Sequence, residues 1–232
     1  MQRKVEPEWL DELPPTDATA AGSRRDLQRL NALMGHINAF VSVLRQQTQG
    51  RSGLSLVELG SGDGTFLLQI ARRLPSLRIN RAILVDRLPV VSDDTRAAFA
   101  QLGWSLEVVV ADVFDWLNDE RSKSSIMMAN LFLHHFAGAR LCELLRRIAG
   151  RSELFVACEP RRGRLPWLAS RCVGLVGCNA VTRHDAVVSV RAGFCDRELS
   201  SFWPNAPAGA WQLEERPSGL FSHRFVARRQ RA

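Results

Sequence analysis

The stretch Leu56-Val57-Glu58-Leu59-Gly60-Ser61-Gly62-Asp63-Gly64-Thr65-Phe66 constrains this chain more than any other. An apolar run ends on a carboxylate, three alternate glycines follow, and an apolar helical pattern resumes at once. That is the order strand, tight turn, helix start. Without a Cβ, these glycines take positive φ readily and let a ligand reach the backbone. A glycine turn that opens a helix also aims unpaired N–H groups, and the positive end of the helix dipole, at whatever sits there. The spacing is neither G-x-G-x-x-G nor G-x-x-x-x-G-K-[ST]. Glu58 would repel a pyrophosphate, whereas it suits a cationic or hydroxyl-bearing ligand.

The chain downstream repeats the strand–helix alternation. Phe66 to Leu74 reads as a helix stopped before Pro75, and Ile79 to Val85 as a strand that ends on Asp86. A carboxylate there can accept both ribose hydroxyls of a nucleoside lying across the strand ends, at the switch point of a doubly wound sheet. Leu106 to Val110 is a third strand, followed by Asp112 and Val113, with Asp115 read as the N-cap of the next turn. Ser125 to Leu133 is a fourth strand that closes on His134-His135-Phe136. Imidazole titrates near neutrality, so a histidine at a carboxyl strand end can take a proton from a phenol or enol. Arg140 to Ala149 is a helix ended by Gly150, and Glu153 to Cys158 a fifth strand that runs into Glu159. Glu159 is open to orienting a histidine, binding substrate or pairing with a neighbouring Arg, the last being preferred. Asp185 is read as the cap of a helix over Ala186 to Ala192, and Trp211–Glu215 with Phe221–Ala227 as a closing hairpin.

These residues resemble motif I and its companions in the class I S-adenosylmethionine-dependent methyltransferases. The resemblance covers about residues 25–229. It implies an α/β fold, a doubly wound, seven-stranded, mostly parallel Rossmann-like sheet with an N-terminal helical cap. It implies S-adenosylmethionine as cofactor, held by Glu58, Gly60, Ser61, Gly62 and Gly64 of the turn. Asp86 and Arg87, Asp112 and Val113, and Asn130 would complete that site. Small-molecule members carry Leu-His-His or Leu-His-aromatic where this chain has Leu133-His134-His135, so His134 is the expected base, His135 the second candidate and His184 the reserve. The acceptor is expected to be a small phenolic or quinone-like metabolite, methylated on oxygen, as in secondary metabolism. Asn130 and Glu159 at the strand ends, where the catechol type has Asp residues, argue against a metal. The prolines of base amino-methylation and the Pro-Cys of cytosine methylation are missing after the fourth strand.

Organisation follows the same reading. Residues 1–22 are polar and Pro-containing, and read as a loosely held arm. A helical cap spans 23–50 on the stripe Leu27, Leu30, Met34, Ile37, Val41 and Leu44, broken near Gly35. The methyltransferase domain takes 51–232, with an apolar lid inserted at about 161–205. The net charge of +7 comes from 31 basic and 24 acidic residues, almost all the basic ones Arg and scattered. Scattered arginine reads as solvated surface, so nucleic acid is not the expected partner, although an rRNA or tRNA methyltransferase is kept as the alternative. A non-catalytic nucleotide-binding module or NAD(P) oxidoreductase is the other. Five cysteines without C-x-x-C fit reduced thiols in the cytoplasm. Leu165 to Val181 is apolar but short and interrupted by Arg171, so no membrane span is expected. The oligomeric state is left open.

Overall fold

A computed structural model describes residues 1–119, 122–204 and 210–230. Seven strands form one sheet in the order β3-β2-β1-β4-β5-β7-β6. They are β1 (Leu54–Leu59), β2 (Ile79–Asp86), β3 (Leu106–Val110), β4 (Ser124–Asn130), β5 (Ser152–Pro160), β6 (Trp211–Ser218) and β7 (Ser222–Arg229). The first five run parallel, while β7 enters antiparallel between β5 and β6. The reversal of strand order beside β1 is the switch point, and the sheet is the doubly wound, Rossmann-like one expected.

Strand alternation divides the core between two faces. On one, Leu56, Leu84, Met128 and Val156 meet Phe40 and Leu44 of α3 (His36–Gln47), Leu67 and Ile70 of α4 (Thr65–Arg73) and Phe99 of α5 (Asp93–Gln101). On the other, Val57, Leu59, Val85 and Phe155 meet Leu117 of α6 (Val113–Asn118), Leu141, Leu144 and Ile148 of α7 (Gly138–Arg151), and Leu199 of α10 (Glu198–Phe202). The register aligns the carboxyl ends: Leu59 sits opposite Val85 on one side and Ala129 on the other. Gly60, Asp86 and Leu131 therefore share one rim.

Local chemistry explains where the boundaries moved. The N-terminal helix α2 (Ala18–Leu33) begins before Ser23 because the Asp17 side chain accepts from Thr19 N and Ala20 N. Gly35, at φ +72°, does break the stripe and starts α3. α7 passes through Gly150 to Arg151, so that glycine is no terminator. The helix expected at Ala186 begins earlier, as α9 (Ala180–Ala192), under the Asn179 side chain, which accepts from Thr182 N. This leaves the Asp185 carboxylate to accept from Trp9 N (2.9 Å) and Leu10 N (3.0 Å) of α1 (Trp9–Glu12). The arm is held further by Arg3, whose guanidinium donates to the carbonyls of Ala192 and Phe136, and by Lys4 N–H on Arg191 O. No helix among the described residues is long and apolar enough to cross a membrane.

Candidate active site

A cleft of about 480 Å³ opens on the rim where the strand order reverses. Gly60, Gly62, Asp86, Arg87, Asp112, Val113, His134 and His135 line it, as do Glu8 of the arm and Arg24 of α2. Glu58, Ser61, Gly64, Asn130 and His184 do not line it. Asn130 is turned away: its amide oxygen meets His36 Nδ1 at 2.7 Å and its Nδ2 donates to Asn31. His36 is buried and its titration is pushed down to about 4 by that burial, partly offset by Asn130 and Glu159. His184 lies flat on Trp9 at 3.8 Å and holds Asp185, beside a separate depression.

The three glycines have different physical roles. All take positive φ. A Cβ on Gly60 would stand 2.2 Å from the Phe132 ring, and one on Gly64 2.5 Å from Leu84 Cδ1, whereas one on Gly62 would meet nothing within 4 Å. Gly60 and Gly64 thus permit close packing of turn and helix on the sheet, and Gly62 fronts open space. Gly64→Ala is expected to cost about 2–4 kcal/mol through backbone strain and overpacking, read as a lower urea midpoint. Gly62→Ala carries only the strain of about 1–2 kcal/mol. Its methyl instead enters the cleft, so calorimetry should show weakened S-adenosylhomocysteine binding in a folded protein.

Carboxylates gather around this turn. Asp86 accepts from Gly62 N (2.8 Å) and Leu88 N (2.9 Å), which fixes both oxygens while leaving lone pairs toward the cleft. Asp112 accepts from Phe114 N and caps α6, so the cap is Asp112 and not Asp115, which sits in the first helical turn. Glu58 lies beneath, buried, its carboxyl held well above the ordinary range by burial and by Asp63 and Asp86. Glu58 Oε2, Ser61 Oγ and Arg24 Nη2 are buried without a hydrogen-bond partner among the described residues. Arg24 in the wall of the cleft, with Gly62 facing free space and Asp86 at the β2 end, fits a ligand carrying ribose hydroxyls and a carboxylate.

His134 occupies the rim at the end of β4, buried in a short turn over Leu133–His135. Glu159 at the β5 end is fully buried and accepts from Phe132 N (3.1 Å), Leu133 N (2.9 Å), His134 N (3.3 Å) and His134 Nδ1 (2.7 Å). Glu159 therefore orients the histidine; no arginine among the described residues pairs with it, and Arg162 uses Glu198 instead. The other ring nitrogen, Nε2, lies 3.1 Å from Glu8 Oε1, which also accepts from Ser189 Oγ. Burial alone would lower the affinity of His134 for its proton. Glu159 and Glu8 outweigh it and push the value up to about 9. Burial likewise opposes ionisation of Glu8, but His134, His135 and Ser189 bring it down to about 2. His135 faces Asp11 at 3.3 Å. Glu8, His134 and His135 offer ligand atoms within 4.8 Å of one another, donors that also suit a divalent ion. Neither Glu8 nor Arg24 was legible in sequence, since both reach the rim from the N-terminal segments.

A second cavity, of about 420 Å³, adjoins the cleft and shares Glu8, Leu10, Leu27, Leu131 and Ser189 with it. Its remaining wall is mostly apolar: Leu30 of α2 and Met34 just after it, Val173, Leu175 and Val176 of the expected lid, and Val190 of α9.

Residues 56–151 match the model of a methyltransferase domain. The chain therefore carries a methyltransferase domain, for which S-adenosylmethionine is the implied cofactor. Among solved structures, an O-methyltransferase family protein from Burkholderia thailandensis is 20% identical at a TM-score of 0.57. The match takes 93% of this chain but 61% of that one, so this chain spans less than two thirds of that relative. The plantazolicin methyltransferase BpumL in complex with a monoazolic desmethylPZN analog and S-adenosylhomocysteine is 13% identical, with a TM-score of 0.59 and 89% and 90% of the two chains covered. The magnesium protoporphyrin IX methyltransferase from Synechocystis PCC 6803, with S-adenosylmethionine bound, gives 10%, 0.52, and 93% and 85%. Comparison with curated protein sequences gives no match. At these identities the likeness is one of fold, while cofactor and reaction class agree with the matched domain.

Proposed function

We propose that this methyltransferase moves the methyl group to a hydroxyl of a small phenolic or quinol acceptor, with His134 as general base. The observation that carries the reading is the placing of His134. Glu159 fixes its Nδ1 side, and its Nε2 points at Glu8, which walls both the cofactor cleft and the apolar cavity. When bound, S-adenosylmethionine supplies a methyl on a sulfonium that transfers by displacement. Asp86 would take the ribose hydroxyls, Asp112 and Val113 the adenine edge, and Arg24 the carboxylate of the amino-acid end. The apolar cavity would take the acceptor's hydrocarbon and exclude water, so that alignment supplies much of the rate.

In the closed arrangement Nε2 carries a proton and donates it to Glu8. The base is ready only when the acceptor hydroxyl displaces Glu8. Loss of one of the two flanking carboxylates lowers the proton affinity of the ring, so Nε2 releases its proton to solvent and becomes the acceptor for the phenolic proton. Glu159 stays in place throughout and stabilises the imidazolium that forms. The test is turnover of labelled S-adenosylmethionine with a panel of phenols and hydroquinones. Methylation on oxygen that collapses in His134→Ala supports the reading, whereas methylation on nitrogen only, or full turnover in that variant, defeats it.

A further inference from the structure

The lid segment folds with its polarity reversed. α8 (Arg164–Ser170) buries only Pro166 and Ser170, and the short 3-10 turn Val173–Val176 buries nothing. Leu165, Leu168, Leu175 and Val176 face outward, exposed from 52% at Val176 to 87% at Leu175, and Leu33 of α2 joins them at 70%. Large aliphatic side chains gathered on one face are costly in water and mark an interaction site. This face is also the mouth of the apolar cavity, since Leu33, Leu175 and Val176 line that cavity as well.

The charges beside the patch have one sign. Residues 161–184 hold five arginines and no Asp or Glu. Arg164 and Arg171 are exposed at either end of α8, and the Arg171 guanidinium lies over the Trp167 ring at 5.0 Å. Short helices that present leucines, a tryptophan and arginines in this way lie in the headgroup region of bilayers, their basic groups drawn to anionic lipid.

We propose that the face formed by α8 and the turn at Val173–Val176 docks on an anionic lipid bilayer. The cavity beneath it then takes an amphiphilic acceptor from that bilayer, with the hydroxyl at His134 and the alkyl chain along Leu30, Met34, Val173 and Leu175. The second clause rests on the methyl-transfer reading above; the first does not. Continuity of patch and cavity gives a hydrophobic acceptor a path that never crosses water.

The test is flotation of the full chain with vesicles of phosphatidylcholine doped with phosphatidylglycerol, against phosphatidylcholine alone. The variant is Leu165→Asp with Leu168→Asp, two exposed positions outside the cavity wall. The wild type should float with anionic vesicles and release in high salt. The double variant should lose about tenfold or more of that binding, with S-adenosylhomocysteine affinity unchanged. Absence of flotation, or equal flotation of the variant, overturns the docking surface. So does a dimer that the variant splits while vesicle binding stays the same, because the face then belongs to a second copy. For the acceptor, the variant should slow methylation of a long-chain alkylphenol in vesicles and spare a short-chain phenol in solution. Equal slowing of both overturns the bilayer route, while a chain that floats but methylates neither retains the surface and defeats the methyl-transfer reading.

Discussion

Glu159→Ala is expected to lower stability by about 3–5 kcal/mol, the range for stripping one partner from a buried, hydrogen-bonded charge pair. Glu159 is wholly buried, and three backbone N–H groups and the His134 ring converge on it. Alanine leaves the imidazolium facing only Glu8 and leaves the turn over Leu133–His135 with unmet donors. Glu159→Gln keeps one acceptor oxygen and should cost less. Chemical denaturation at pH 7 checks both, and a loss under 1 kcal/mol in the alanine variant would contradict the network. The same network fixes a pH dependence. His134 binds its proton more tightly folded (about 9) than in an unfolded chain, where imidazole keeps its ordinary value near 6.5. Its contribution is therefore complete below about pH 6.5 and is lost as pH rises through about 9. Melting temperatures measured from pH 6 to 9.5 should fall over that window, and less steeply in Glu8→Gln.

His134→Ala is expected to cut turnover by about 10²–10⁴-fold, the usual worth of a positioned base, with S-adenosylhomocysteine affinity nearly intact. Loss of affinity in parallel would instead mean that the side chain merely supports the cleft. Glu8→Gln separates the parts further. Removing a carboxylate 3.1 Å from Nε2 makes the proton easier to lose, so the rising limb of the pH–rate profile should move to lower pH. A limb that stays in place would show that Glu8 does not hold the proton on His134 before the acceptor enters. His135→Ala should have the smaller effect, since that ring is partly exposed and faces Asp11 rather than Glu159.

Legibility followed sequence separation. Glu58 and Asp86 could be read because strand–turn–helix–strand is a local pattern with fixed spacing, and the sheet register then aligns their strand ends. His134 could be read for the same reason. Its partners could not. Glu8 reaches it across 126 positions from a polar stretch with no periodicity, and Arg24 hides on the polar side of an ordinary helix. Asp185 looked like a helix cap, a local role, yet its carboxylate receives Trp9 and Leu10 from a distant segment. The cap fell to Asp112 and not to Asp115: either fits a cap by residue type, and only the turn after β3 decides between them.

The stacking of Trp9 on His184, with rings 3.8 Å apart and 6° from parallel, gives the closed arm an optical signature. A ring stacked face-on changes the surroundings of the indole, so the emission of Trp9 should change when α1 lifts and the stack opens. Stopped-flow emission would then time the departure of Glu8 from His134 without any label, and phenylalanine at position 9 would identify the share of the signal that belongs to this ring.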